Sequence, residues 1–164
     1  MTHKILVTGA GGFVGAHLIK RLGHDPNNEI FAAVYKATSD LSGLLPADHV
    51  MAGDLTDFAY AESLVKSVMP DVVYHLAALS VVHNSVAEAG KVLVGNTILQ
   101  YNLLESLRLH AQSARILAVC SANEYGLVAK ENPFALQLPP LLRRYLVDAG
   151  PGPALFNVCH YNSP

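Results

Sequence analysis

Lys4-Ile5-Leu6-Val7-Thr8-Gly9-Ala10-Gly11-Gly12-Phe13-Val14-Gly15 is the stretch that decides the fold. A short, continuous apolar run, Lys4–Val7, ends in a cluster of glycines. Residues with helical spacing follow at once, with Val14, Leu18 and Leu22 recurring at i, i+4. A strand that turns sharply into a helix opens a βαβ unit. Gly9, Gly12 and Gly15 have the spacing G-x-x-G-x-x-G. Glycine serves three purposes in such a loop: the turn out of the strand is tight, the backbone must come close to a pyrophosphate, and the helix must pack against the strand. The helix N-terminus then offers unpaired N–H groups and the positive end of its dipole to the phosphates. Two other phosphate loops do not fit. A P-loop closes on Gly-Lys-Ser/Thr, whereas Ala16-His17 follows Gly15; a G-x-G-x-x-G loop read from Gly9 needs glycine at position 14, which is Val14.

The rest of the chain repeats the alternation. Further apolar runs occur at Ile30–Tyr35, His49–Met51, Asp71–Leu76 and Arg115–Ser121. Most are continuous, as strands buried on both faces of a parallel sheet are. Between them, Ala61, Leu64, Val65, Val68 and Met69 form a helical stripe stopped by Pro70. Leu99, Leu103, Leu104 and Leu107 form another, on a long helix expected from about Val86 to Leu109 that supplies core or a dimer face. Strand alternating with helix predicts an α/β fold with a doubly wound parallel sheet of Rossmann type. Near Glu131 the composition changes: six of the nine prolines lie from there to Pro164. Residues 1–130 are therefore read as the nucleotide-binding domain and 131–164 as an atypical tail. In that tail Leu141–Val147 has helical character and Ala154–Val158 strand character.

Composition narrows the function classes. A chain of 164 residues, 51% hydrophobic and 15% charged, has enough apolar surface to fold as one domain. Its net charge of −2 and lack of a basic block fit neither a nucleic-acid backbone nor an anionic membrane. The most apolar stretch, Val72–Val82, is about half the roughly 20 residues of a membrane span. Two cysteines, Cys120 and Cys159, make no disulfide framework, so a cytoplasmic setting is expected. The eight histidines are scattered without metal-ligand spacing, and no metal site is expected.

With these residues in view, the chain resembles the extended short-chain dehydrogenase/reductase family, the NAD-dependent epimerase/dehydratase group that acts on nucleotide sugars. Five motifs over about residues 4–130 carry the resemblance, in order. The first is the glycine loop from Thr8 to Gly15. Gly53-Asp54-Leu55-Thr56-Asp57 is similar to the family's adenine-contacting segment. His75-Leu76-Ala77-Ala78 resembles the motif beneath the cofactor ribose and nicotinamide. Asn96, with Asn102-Leu103-Leu104-Glu105, resembles the long-helix motif. Ser121-Ala122-Asn123-Glu124-Tyr125-Gly126 resembles the segment bearing the catalytic Ser/Thr. The resemblance implies cofactor binding by Gly9, Gly12, Phe13, Val14, Gly15, Lys36, Asp54, Leu55, Leu76, Ala77, Ala78 and Asn96, and a catalytic role for Ser121.

At the end of strand two an acid about 20 residues past the last glycine would bind the ribose 2′-hydroxyl of NAD. Lys36 stands there instead, with Asp40 further on, so of NADP and NAD the charge favours NADP. The resemblance also implies a tyrosine with lysine four residues later. A free tyrosine, pKa near 10, is a poor base without a neighbouring cation. Tyr145 lies close to the family's spacing from Ser121, but position 149 is Ala; Tyr125 has Ala129 at that offset and Lys130 one further on. The family's C-terminal substrate-binding part has almost no counterpart. The leading expectation is an NAD(P)-dependent nucleotide-sugar epimerase, dehydratase or reductase with impaired catalysis, its partners a dinucleotide, a nucleotide sugar and a second copy of the chain through helix 86–109. The rivals are a non-enzymatic dinucleotide-binding module and a truncated or frame-shifted fragment.

Overall fold

The computed structural model describes residues 2–36, 41–79, 86–121 and 155–160. In chain order they form β1 (His3–Thr8), α1 (Phe13–Leu22), β2 (Asn28–Val34), a 3-10 turn (Ala47–His49), β3 (Val50–Ala52), α2 (Phe58–Val68), β4 (Val72–His75), α3 (Val86–His110), β5 (Arg115–Ser121) and β6 (Leu155–His160). The strands build one sheet in the order β3-β2-β1-β4-β5-β6. Every neighbouring pair is parallel. This is the doubly wound order, with its reversal between β1 and β4.

The continuous apolar runs are explained by burial on both faces. Successive strand residues point to opposite sides. Ile5 and Val7 of β1, with Ile30, Ala32 and Val34 of β2, pack with Ile19 of α1. Leu6, Phe31 and Ala33, with Val73 of β4 and Ile116 of β5, pack with Leu64, Val65 and Val68 of α2 and Leu99, Leu103 and Leu107 of α3. The helices are delimited locally. Asp57 caps α2 by accepting from Ala59 N–H at 2.9 Å, and Met69, at φ 50°, ends it ahead of Pro70. Lys20 and Arg21 in the last turn of α1 suit the negative end of its dipole.

The strands and helices fall within a residue or two of the expected bounds, including β6, which was expected at 154–158. The leucine stripe of α3 belongs to the core, with Leu103 and Leu107 wholly buried. Leu141–Val147 lies outside the described residues.

Candidate functional site

The carboxyl ends of β1, β2 and β4 meet where the strand order reverses, and a cleft of about 430 Å³ opens there. That is the place where open α/β sheets bind ligands, and the size suits a small molecule. Its walls come from three connections.

The first wall is the glycine loop, contributing Gly9, Gly11 and Gly12. Gly9 has φ 68°, and a Cβ there would lie 2.7 Å from Ala77 N. A Cβ on Gly15 would lie 2.6 Å from both Ala10 Cα and Gly9 O. These two glycines therefore keep the loop and α1 packed together. Gly12 differs: an added Cβ would meet only Gly9 O, at 3.3 Å, so the space before it belongs to the cleft. Gly12 is also the N-cap of α1, with no side-chain cap and no acid in the first turn. The first N–H groups of α1 are thus left without a side-chain partner, which suits an anion. Phe13 and Val14 turn outward, 80% and 61% exposed, and neither they nor Gly15 line the cleft.

The second wall joins the end of β2 to the connection after β3. Tyr35 and Lys36 lie there, the Lys36 Nζ 5.8 Å from the centre of the Tyr35 ring. Gly53, Asp54, Leu55 and Thr56 complete it. Asp54 Oδ1 accepts from both the N–H and the hydroxyl of Thr56 at 2.8 Å, making a compact turn. Buried Asn102 of α3 fixes this turn from below, donating to Leu55 O and Thr56 O at 3.0 and 2.9 Å. A Cβ at Gly53 would run into the Tyr60 ring.

The third wall is Leu76–Leu79, after β4. His75 and Thr8, both buried, meet at 2.7 Å through Nδ1 and the hydroxyl. Burial pushes the His75 pKa down to about 4, so its ring is neutral at ordinary pH. The Asn96 side chain is not part of the lining. It accepts from Leu79 N–H at 2.7 Å and donates to Leu79 O at 3.0 Å. Leu99, one turn further along α3, forms the floor.

Of the residues singled out from sequence, Gly9, Gly12, Lys36, Asp54, Leu55, Leu76, Ala77 and Ala78 come together around one cleft. Phe13, Val14, Gly15 and Asn96 stand behind or beside it. Ser121 ends β5 at the same edge of the sheet as Thr8 and His75. Tyr145, Tyr125, Lys130 and Asp40 lie outside the described residues. Gly11, Ala33, Val34, Tyr35, Leu79 and Leu99, which also line the cleft, are not singled out by the sequence reading. Leu99 carries the signal of a core leucine, and a core residue at a helix turn facing a cleft serves both purposes. Among the described residues there is no cluster of His, Cys, Asp or Glu that could hold a metal ion, and no helix long and apolar enough to cross a membrane.

The chain is similar in sequence and fold to known proteins. The chain is 33% identical over 135 residues to a dTDP-glucose 4,6-dehydratase of Mycolicibacterium smegmatis, covering 79% of this chain and 40% of that protein. It is 33% identical over 125 residues to a GDP-6-deoxy-D-talose 4-dehydrogenase of Aggregatibacter actinomycetemcomitans, covering 76% of this chain and 37% of that one. Among solved structures it matches a UDP-glucose 4-epimerase of Brucella ovis in complex with NAD, with a TM-score of 0.67 and 26% identity over 79% of this chain and 39% of the other. The chain spans about two fifths of the length of these relatives. The sequence profile of one family covers residues 5–144, and with the doubly wound sheet and its glycine-loop cleft this places the chain in the NAD dependent epimerase/dehydratase family.

Proposed function

We propose that this chain carries the dinucleotide-binding part of an NAD(P)-dependent nucleotide-sugar epimerase, dehydratase or reductase, with residues 1–130 as the binding unit. The observation that supports this reading most is the uncapped N-terminus of α1, set behind three glycines at the mouth of the cleft. Gly9, Gly11, Gly12 and the first turn of α1, including the backbone of Phe13 and Val14, would hold the pyrophosphate. Lys36, Asp54 and Leu55 would hold the adenosine half, and Leu76, Ala77 and Ala78 the other half. Lys36 favours NADP, because its ammonium pairs with a 2′-phosphate. The dinucleotide, when bound, supplies hydride transfer to and from a nucleotide-linked sugar. Ser121 would hydrogen-bond a hydroxyl of that sugar, and Tyr145 would carry its proton.

Catalysis is expected to be weak. Position 149 is Ala, so no lysine four residues on lowers the tyrosine pKa. General acid–base help of this kind is typically worth about 10²–10⁴-fold. That same residue favours a second reading, a binding module without turnover. A panel of UDP-, GDP- and dTDP-sugars with both cofactors, followed by nicotinamide absorbance, separates the two. Little or no turnover is expected; robust turnover lost in Ser121→Ala and Lys130→Ala would show a working centre built around Lys130. Leu93, Val94 and Tyr101 expose apolar surface along α3, and we assign this face to a second copy of the chain. Sedimentation analysis that finds only monomer refutes that assignment.

A further inference from the structure

We propose that Thr8, His75 and Asn96 are positioning residues that hold the Leu76–Leu79 wall ready for the dinucleotide, with Asn96 acting on that wall and not on the ligand. This rests on the reading of the cleft as a dinucleotide site. Leu76–Leu79 has no regular secondary structure, so its backbone groups need partners from elsewhere. Thr8 and Asn96 supply four of them, at the two ends of the segment. Leu76 N–H donates to Thr8 O at 3.2 Å and Ala77 N–H to the Thr8 hydroxyl oxygen at 3.3 Å. At the far end, both backbone groups of Leu79 bond to the Asn96 amide.

The two anchors are specific in their chemistry. The Thr8 hydroxyl accepts from Ala77 N–H and is also paired with His75 Nδ1, so one small group ties the wall to a buried ring. His75 is 4% exposed, and burial keeps its ring neutral. Glycines let the wall close on its supports. A Cβ on Gly9 would press on Ala77 N, and one on Gly95 would lie 2.5 Å from Leu79 Cδ1. The wall is therefore tied to the glycine loop at one end and to α3 at the other. An irregular segment ordered in advance loses less conformational entropy when it meets a ligand, and that gain appears as affinity. The effect is local, because Tyr35, Lys36 and Asp54 are held by other contacts.

The test is calorimetry on the full chain with two ligands, the tighter of NADP and NAD, and AMP. AMP, which carries only the adenosine and one phosphate, reports on the Lys36–Asp54 side and the glycine loop without the half placed at Leu76–Ala78, and serves as a control for folding. Asn96→Ala and Thr8→Val are expected to weaken dinucleotide binding about 10-fold each, the loss of roughly one backbone-satisfying hydrogen bond, with AMP affinity unchanged. Thr8→Ser, which restores the hydroxyl, is expected to recover most of the affinity. Asn96 is half-buried and belongs to neither core cluster, so its replacement leaves the core intact and this arm stands even if Thr8→Val fails to fold. Variants that bind the dinucleotide as wild type does, or that lose AMP in parallel, overturn the positioning role. A wild-type chain that binds neither dinucleotide overturns the underlying reading of the cleft, and the proposal with it.

Discussion

Acidification should destabilise this chain through His75, and replacing that residue should remove most of the effect. The ring is buried against Thr8, and burial lowers its pKa from 6.5 to about 4. In the unfolded chain the imidazole protonates near 6.5, so between pH 6.5 and 4 the unfolded state binds more protons than the folded one. Stability therefore rises with pH across that window and is lost as pH falls through it. The whole displacement corresponds to about 3 kcal/mol, of which about 2 kcal/mol is lost between pH 7.5 and pH 5. Against a typical total of about 5–15 kcal/mol this is a large fraction. The carboxyls of Asp25, Glu62 and Glu105 are also lowered, by hydrogen bonds from Asn27, from Lys66 and His110, and from Arg108 respectively. Comparison of wild type with a His75 variant cancels these shared contributions and isolates that of His75. Urea unfolding at pH 7.5 and pH 5 measures the difference in wild type and in His75→Gln, whose polar side chain does not titrate. The variant is expected to lose about 2 kcal/mol less than wild type over this range. An equal loss in both proteins refutes the assignment of a buried neutral histidine.

Two further outcomes follow from the packing and the charge. Leu103→Ala, at a wholly buried position where α3 meets α2 and the sheet, should destabilise the chain by about 2–5 kcal/mol in the same unfolding assay. Lys36→Glu should invert cofactor preference, because a carboxylate beside Tyr35 repels a 2′-phosphate; a wild-type chain that prefers NAD tenfold, about 1.4 kcal/mol, contradicts the charge reasoning.

Much of the fold was legible because each local signal agreed with the tertiary one. Ile5, Leu6 and Val7 are continuous and apolar because β1 sits mid-sheet and faces two cores at once. Leu99, Leu103 and Leu107 keep the helical period because α3 buries one stripe. The glycine loop could be read because Gly9 and Gly15 have no room for a Cβ. What could not be read was partnership across distance. Nothing near Asn96 in sequence indicates that its amide closes on Leu79, 17 residues earlier. Phe13 and Val14 lie in the glycine motif yet face outward, because the first turn of a helix offers its N–H groups to a ligand and not its side chains. Asn102 lies in a motif, but its bonds to Leu55 and Thr56 appear only once α3 is laid across the connection after β3.

Calorimetric titration of wild type and Gly12→Val with NAD and NADP tests the central claim most directly. The Gly12 position has φ −81° and ψ 165°, which valine adopts, and its Cβ would meet only Gly9 O, so the variant should fold and melt near the wild-type temperature. Its two methyl groups would stand in the cleft between the glycine loop and any pyrophosphate. Wild type is predicted to bind a dinucleotide, and Gly12→Val to bind it at least roughly 100-fold more weakly, the loss of about 3 kcal/mol in charge-assisted hydrogen bonds. A folded Gly12→Val chain with wild-type affinity would contradict the assignment of this cleft.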